Sequence, residues 1–185
     1  MDSKIDSVVK LNRKAGDHSA QGDDKKAVQS YIKALNLLSE AESLEEQEIK
    51  ARLLNNIGHV QVKIGDLDQA IVSFNKSAAL YLGLDDMLGV GQQLGNVGSV
   101  YRDKGMWGAA RKSYDKSLAA FKLQGDKSGL ADQYSDIGYI CAQEKEFASA
   151  LEWFYMAKAL YEELNLEERA RLVEKNISIL SNSHE

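Results

Sequence analysis

The chain has 185 residues, of which 44% are hydrophobic and 28% are charged, so it can bury a continuous core and is not of a disordered class. Its net charge of −5, without a basic face, argues against nucleic-acid binding, and its single cysteine excludes a disulfide framework. The absence of proline, the 14 glycines and the lack of period-two runs predict an all-α protein.

The N-terminal segment is charged and begins a helical hairpin. Its first twenty residues contain no apolar block, and nothing in the chain approaches the ~20 apolar residues of a membrane span. We therefore expect no secretion signal, no membrane association and a cytoplasmic location. An apolar stripe from Val8 to Ala15 predicts the first helix of a hairpin at about 4–41, and Gly22-Asp23 predicts its turn.

Three further hairpins are predicted at about 45–83, 87–123 and 128–164, and the same residue types return in them every forty positions. Small residues at such positions let two helices cross closely, and aromatic residues fill the gap between them. Three surplus residues follow the first hairpin, and we assign them to the acidic stretch 40–48. This stretch is expected to be a solvated helix start, and the alternative is a charged recognition surface. The recurring residues are Gly58, Gly98 and Gly138 with Phe74, Tyr114 and Phe154.

The turns and the C-terminal helix complete the pattern. Gly105 is expected in the left-handed conformation, whereas Lys145 replaces this glycine in the fourth hairpin and predicts a different turn or a strained residue. A last helix at about 167–181 has no second half, which is typical of a cap that covers the end of a helical array. Its stripe is expected to contain Leu172, Ile177 and Leu180, and residues 182–185 are expected to form a flexible tail.

The third hairpin resembles the tetratricopeptide repeat. The residues that carry the resemblance are Leu94, Gly95, Gly98, Tyr101, Gly105, Trp107, Ala110 and Tyr114. The forty-residue interval is similar to that of the longer-repeat branch found in Pins-type polarity adaptors. The resemblance implies a right-handed α-α superhelix, a solenoid of four such hairpins plus a C-terminal capping helix, forming a single array over residues 1–181.

In this family the first helix of each hairpin lines an inner groove that binds peptides or partner segments. Asparagine suits such a surface because its amide both donates and accepts hydrogen bonds. The alternative is that these residues are only the polar side of amphipathic helices. We call the corresponding residues the groove face: Arg52, Asn55, Asn56, His59, Lys63, Gln92, Asn96, Ser99, Arg102, Asp103, Asp132, Ser135, Asp136 and Tyr139.

The best-known ligand of the family is an acidic chaperone tail, held by lysine and arginine around an asparagine. Asn56 matches that asparagine, but the companion positions hold Asn12, Gly16, Gln92 and Asn96. Without those cations no charge-assisted grip on a terminal carboxylate is available. We therefore expect no binding of chaperone tails.

Few residues have the spacing that chemistry needs. The histidines at 18, 59 and 184 lack metal-binding spacing, so no metal and no cofactor are predicted. Cys141 replaces a packed tyrosine of the previous hairpin and is expected to be a buried thiol. Asp132 and Asp136 lie one turn apart, but an open wall would desolvate them little, which favours a cation-attracting patch over an acid and base pair.

These observations predict an adaptor or scaffold protein that binds a peptide or helix of a partner protein on its groove face, and no enzyme. The alternative function is self-association into a homodimer, without a peptide ligand, either through the exposed aromatic residues Trp153 and Tyr155 or through the ends of the array.

Overall fold

The computed structural model describes residues 3–182, which form helices and connecting turns and contain no strand. The all-α prediction is therefore confirmed. No helix within these residues has both the length and the apolar character that crossing a bilayer requires. The helices, α1 to α9, are Lys4–Ala20, Asp24–Leu37, Leu44–Lys63, Leu67–Gly83, Met87–Asp103, Trp107–Gln124, Lys127–Gln143, Phe147–Glu163 and Glu167–Asn182.

The turn inside each of the four hairpins contains one residue with a positive φ angle. Gly105 has a φ of 70°, as predicted, and Lys145 takes the same role in the fourth hairpin with a φ of 64°. In both turns the next residue donates its backbone N–H to a carbonyl five positions back, at 2.9 and 2.8 Å. The fourth turn is therefore the same turn, and the predicted strain lies on Lys145.

The connection between the first two hairpins is the longest one. It covers residues 38–43, whereas residues 84–86 connect α4 to α5. Ser43 caps α3 by accepting a hydrogen bond from the backbone N–H of Glu46 at 3.1 Å. The acidic stretch thus contains the surplus residues and the solvated start of α3, where negative charge favours the helix dipole.

The recurring glycines lie under the recurring aromatic rings, as the periodicity predicts. A Cβ atom at any of these three glycines would lie within 2.9 Å of a ring carbon. Only a residue without a side chain lets the two helices of a hairpin come this close. The pairs are Gly58 with Phe74, Gly98 with Tyr114, and Gly138 with Phe154.

The helices form two compact units, and the boundary between them falls within α5. Unit 1 ends at Gln93, and unit 2 begins at Leu94. Unit 1 has a core around Tyr31 and Leu53, and unit 2 has a core around Tyr114 and Phe154. The prediction of a single array stays a prediction.

The stripe predicted for the last helix was partly wrong. The buried residues of α9 are Ala170, Val173, Ile177 and Leu180, whereas the side chain of Leu172 is 66% exposed. Spacing alone did not separate Leu172 from the core because it lies one position from Val173. Asn182, the first residue of the predicted tail, is the last residue of α9, and residues 183–185 lie outside the described residues.

Candidate functional site

A row of side-chain amides forms the centre of the groove face in unit 1. Asn55 donates its Nδ2 proton to Oδ1 of Asn56, and Asn56 donates to Oδ1 of Asn12, each at 3.3 Å. Asn12 lies on α1, so the row joins the first helices of the first two hairpins. Asn12 was not predicted as a groove residue. The sequence could have indicated Asn12 as a groove residue, because it carries an amide on the first helix of the hairpin that precedes Asn56.

The two cations of the groove face in unit 1, Lys63 and Arg52, already have partners. The Lys63 ammonium group donates to Oδ1 of Asp24 at 2.9 Å and to the backbone oxygen of Ser19 at 3.0 Å. The first of these bonds lowers the pKa of Asp24. Arg52 lies 3.8 Å from Glu48 in an exposed pair, which adds little stability. Lys63 therefore holds two hairpins together.

The remaining groove residues described for unit 1, His59 and Gln92, are both exposed. The imidazole of His59 packs edge-on against Phe74, with ring centroids 5.1 Å apart, and its partial burial lowers the pKa of His59. Desolvation thus disfavours the charged form of the His59 imidazole. Gln92 is exposed near the end of unit 1.

An ion pair joins α5 and α7 on the groove face of unit 2. Nη1 of Arg102 donates to Oδ1 of Asp136 at 2.7 Å, and Nε of Arg102 donates to Oδ1 of Asp103 at 3.2 Å. The same guanidinium group lies 5.9 Å from the centre of the Tyr139 ring, which is 41% exposed. The structure thus brings four predicted groove residues into one cluster.

The environment of Asp136 differs from the prediction of an open wall. Burial raises the pKa of Asp136 to about 6, although the nearby Arg102 guanidinium opposes this shift. The side chain is only 26% exposed. The expectation of little desolvation was wrong because Arg102 and the neighbouring helices cover the carboxylate.

Asp132 has partners of its own. Tyr161 on α8 donates its hydroxyl proton to Oδ1 of Asp132 at 2.6 Å, and Nη1 of Arg169 on α9 donates to the same atom at 2.6 Å. Neither partner was predicted, because both lie about thirty or more positions away in the sequence. Asp132 and Asp136 thus each have a cation from the chain itself, which leaves less attraction for an external one.

The short polar residues of this face are half-buried. Ser99 Oγ lies 3.2 Å from the hydroxyl of Tyr114, the ring that covers Gly98. Asn96 and Ser135 are half-buried on α5 and α7. Like the other groove residues of unit 2, these three lie on α5 and α7, the first helices of the third and fourth hairpins.

The one cysteine of the chain, Cys141, is a buried free thiol in unit 2. Cys141 is 1% exposed, as predicted, and burial raises the pKa of its thiol. Its sulfur accepts a long hydrogen bond from Nη1 of Arg111 at 3.5 Å. Residues 3–182 contain no group of three or more His, Cys, Asp and Glu side chains that could hold a metal. His184 lies outside them, and the prediction of no metal stays a prediction.

The two aromatic residues suggested for self-association differ in exposure. Trp153 is half-buried, with its ring 5.4 Å from that of Tyr134 and 5.3 Å from the Arg111 guanidinium group. Tyr155 is 54% exposed, and its neighbour Met156 is 40% exposed. The exposed pair on α8 is therefore Tyr155 with Met156, and not Tyr155 with Trp153.

Comparison with known protein families identifies the repeat. A sequence profile described as tetratricopeptide repeat matches residues 6–82 and 93–163, which is most of the chain. The chain belongs to the tetratricopeptide repeat family. Repeat arrays of this family present extended surfaces to other proteins. No curated protein sequence matches the chain.

Solved structures of similar fold are long helical proteins. The apo form of RapI has 15% identity and a TM-score of 0.89, over 98% of this chain and 50% of RapI. Aspartyl phosphate phosphatase F from Bacillus subtilis has 13% identity and a TM-score of 0.85, over 94% of this chain and 45% of the phosphatase. The chain therefore spans about half the length of these two proteins.

A third similar structure is nearer in length. BtubC (BKLC) from P. vanneervenii has 13% identity and a TM-score of 0.70, over 98% of this chain and 89% of BtubC. At such identities the likeness to all three structures supports the tetratricopeptide repeat fold alone.

Proposed function

We propose that this chain is a non-catalytic adaptor that binds a peptide or helix of a partner protein on its groove face. The observation that carries the proposal is the amide row of unit 1. Asn56 uses one N–H and one lone pair within the row, which leaves one donor and one acceptor on a half-buried side chain. A backbone peptide unit offers the complementary acceptor and donor.

The polar groups of the face support binding rather than catalysis. The carboxylates of Asp132 and Asp136 are engaged with Arg169 and Arg102, and the thiol of Cys141 is buried. A general base or nucleophile needs access to a substrate, which this arrangement does not provide. We therefore infer no enzymatic activity and no cofactor.

Three finer features belong to the same proposal. The forty-residue interval supports a relationship to Pins-type polarity adaptors, whose groove holds partner segments. The acidic balance, a net charge of −5, supports a protein partner rather than nucleic acid. The single, buried cysteine suits the reducing environment of the cytoplasm.

Site-specific photo-crosslinking tests the proposal. A photoreactive amino acid would replace Arg52 or Gln92 on the groove face, or Lys76 or Lys116 on the second helices; all four are exposed, so folding is preserved. Partner crosslinks are expected from the first two positions and not from the last two. Changing Asn56 and Asn96 to alanine should reduce them, and crosslinks confined to the second helices would refute the proposal.

The alternative function, homodimerisation, has one observation in its favour. Tyr155 and Met156 are exposed on α8 at positions where α6 has Asp115 and Lys116. Exposed aromatic and methionine side chains are enriched at interfaces between proteins. Light scattering over a range of concentrations distinguishes the two functions, because Tyr155→Ala should abolish a dimer formed through this pair and leave crosslinking from Arg52 unchanged.

A further inference from the structure

Two exposed aliphatic side chains, Leu172 and Ile179, lie along α9 on the side opposite its buried residues, and we call this pair the exposed stripe. Leu172 and Ile179 lie seven residues apart on α9 and are 66% and 54% exposed. Lys175 lies between them, and Glu168 lies one turn before Leu172. Because the four positions are three or four residues apart, all four side chains share one face of the helix. Together, Leu172 and Ile179 offer a partner two large aliphatic side chains, two turns apart, that would leave water on binding.

The stripe extends the groove face of unit 2. Leu172 lies forty positions after Asp132, and Ile179 lies forty positions after Tyr139. Arg169 joins α9 to α7 on this side through its hydrogen bonds to Asp132, at 2.6 and 2.9 Å. The groove face of unit 2 is thus polar and aromatic on α7 and aliphatic on α9.

The stripe is not a seat for a further helix of the same repeat. In the hairpins, the second helix packs over the glycine at position 58, 98 or 138. The equivalent residue of α9 is Ser178, which is exposed and donates to the backbone oxygen of Glu174 at 3.0 Å. Glu174 itself forms an ion pair with Lys158 at 2.5 Å. The face that would receive a second helix is therefore polar.

A second copy of α9 also fits poorly. Two antiparallel α9 helices that place Leu172 against Ile179 of the other copy would have their twofold axis between Lys175 and Asn176. The two copies of Lys175 would then face each other, and like charges at such a distance repel. The charge pattern thus favours a partner that carries a carboxylate at this level.

The spacing of the stripe selects the conformation of the partner. Leu172 and Ile179 are separated by about 10.5 Å along the helix axis, at a rise of about 1.5 Å per residue. A second helix matches this distance with side chains seven residues apart. Side chains on one side of an extended strand lie about 6.8 or 13.6 Å apart, and neither distance fits.

We propose that Leu172, Lys175 and Ile179 bind a helix of a partner protein that carries two apolar side chains seven residues apart with a carboxylate between them. This inference rests on the proposed protein-binding function and names the partner's chemistry at one end of the face. Lys175 takes part in no ion pair within residues 3–182, so its ammonium group is open to the partner's carboxylate. Burial of the aliphatic side chains provides the affinity, and the charge sets the register.

Designed helical peptides of about 20 residues test this surface with the full chain. The first, fluorescently labelled and alanine-based, carries two leucines seven positions apart and a glutamate between them on the same face. The second has the same composition with one leucine moved to the opposite face. The third has lysine in place of glutamate. Fluorescence anisotropy measures the affinity of each peptide.

The first peptide is expected to bind at least about tenfold more tightly than the second, because only it buries both leucines. Leu172→Gln or Ile179→Gln should weaken its binding by a similar factor. Leu123→Gln is the matched control, since Leu123 is 74% exposed on α6 and outside the stripe. Lys175→Glu should weaken the first peptide and strengthen the third, each about twofold to fivefold.

Several results would overturn the proposal. Equal binding of the first two peptides, or no effect of Leu172→Gln, would show that the stripe does not select a helix of this pattern. Concentration-dependent dimerisation that Leu172→Gln abolishes would identify a second copy as the occupant. Failure of the peptides with crosslinks still at Arg52 and Gln92 would remove this inference alone, whereas crosslinks confined to the second helices would remove the proposed function.

Discussion

Replacing Gly98 with alanine tests the packing rule on which the hairpins depend. A Cβ atom at this position would lie 2.5 Å from Cδ1 and Cε1 of Tyr114, whereas carbon atoms in contact lie about 3.5 to 4.0 Å apart. The ring cannot easily move away, because Tyr114 is fully buried and its hydroxyl lies 3.2 Å from Ser99 Oγ. The added methyl group must therefore push the helices apart or displace the ring.

The added methyl group of Gly98→Ala costs stability by overpacking the core and restores some of it through the higher helix propensity of alanine. Overpacking a well-filled core costs about 1 to 3 kcal/mol, and loss of the Tyr114 to Ser99 hydrogen bond costs about 1 kcal/mol more. Alanine in a helix interior returns about 1 kcal/mol relative to glycine. The expected net change for Gly98→Ala is a loss of about 2 kcal/mol in the free energy of unfolding.

Urea unfolding followed by circular dichroism measures this change. The matched control is Gly108→Ala on α6, where a Cβ atom would meet nothing within 4 Å, so stability should rise by up to about 1 kcal/mol. In a Tyr114→Leu background, which removes the ring, Gly98→Ala should cost much less. Equal effects of the two alanine substitutions in the native background would refute the packing argument.

Three further predictions concern stability. Oε1 of Gln133 is buried without a hydrogen-bond partner in the described part of the chain, and Leu53 occupies the same repeat position. Gln133→Leu should therefore raise the unfolding free energy by about 1 to 2 kcal/mol. An unchanged urea midpoint would contradict this prediction. Lys145→Gly should stabilise the chain by about 1 kcal/mol in the same assay, because glycine adopts a φ of 64° without strain, and a loss of stability would contradict the turn assignment. Between pH 4 and 6, Asp136 binds a proton in the folded chain but not in the unfolded chain, because folding raises its pKa from 3.8 to about 6. As the pH falls from 7 to 4, the unfolding free energy of the native chain should therefore rise by up to about 3 kcal/mol relative to that of Asp136→Asn. A difference that shrinks as the pH falls would show that the carboxylate is not desolvated.

Much of the fold follows from the sequence because its evidence is local and periodic. The interval between Gly58, Gly98 and Gly138 can be read along the chain, and each glycine lies under the ring sixteen positions later. Helix ends depend on single residues, so the left-handed conformation of Gly105 could be predicted. For Lys145 the sequence predicted only a different turn or a strained residue, and the structure shows the strained residue. Because the hairpins pack in the same way, the residue pattern of one hairpin predicts the packing of the next.

The state of the groove face depends on contacts between residues far apart in the sequence. Spacing placed Asp132 and Asp136 on one face, but only the packed helices determine that Arg169 holds one and that burial raises the pKa of the other. Likewise, Leu172 has the residue type of a core position, and only the packing of α9 against α8 decides that Val173 is buried and Leu172 is not. A periodic sequence determines where side chains recur, whereas their burial and charge partners arise only when neighbouring helices come together.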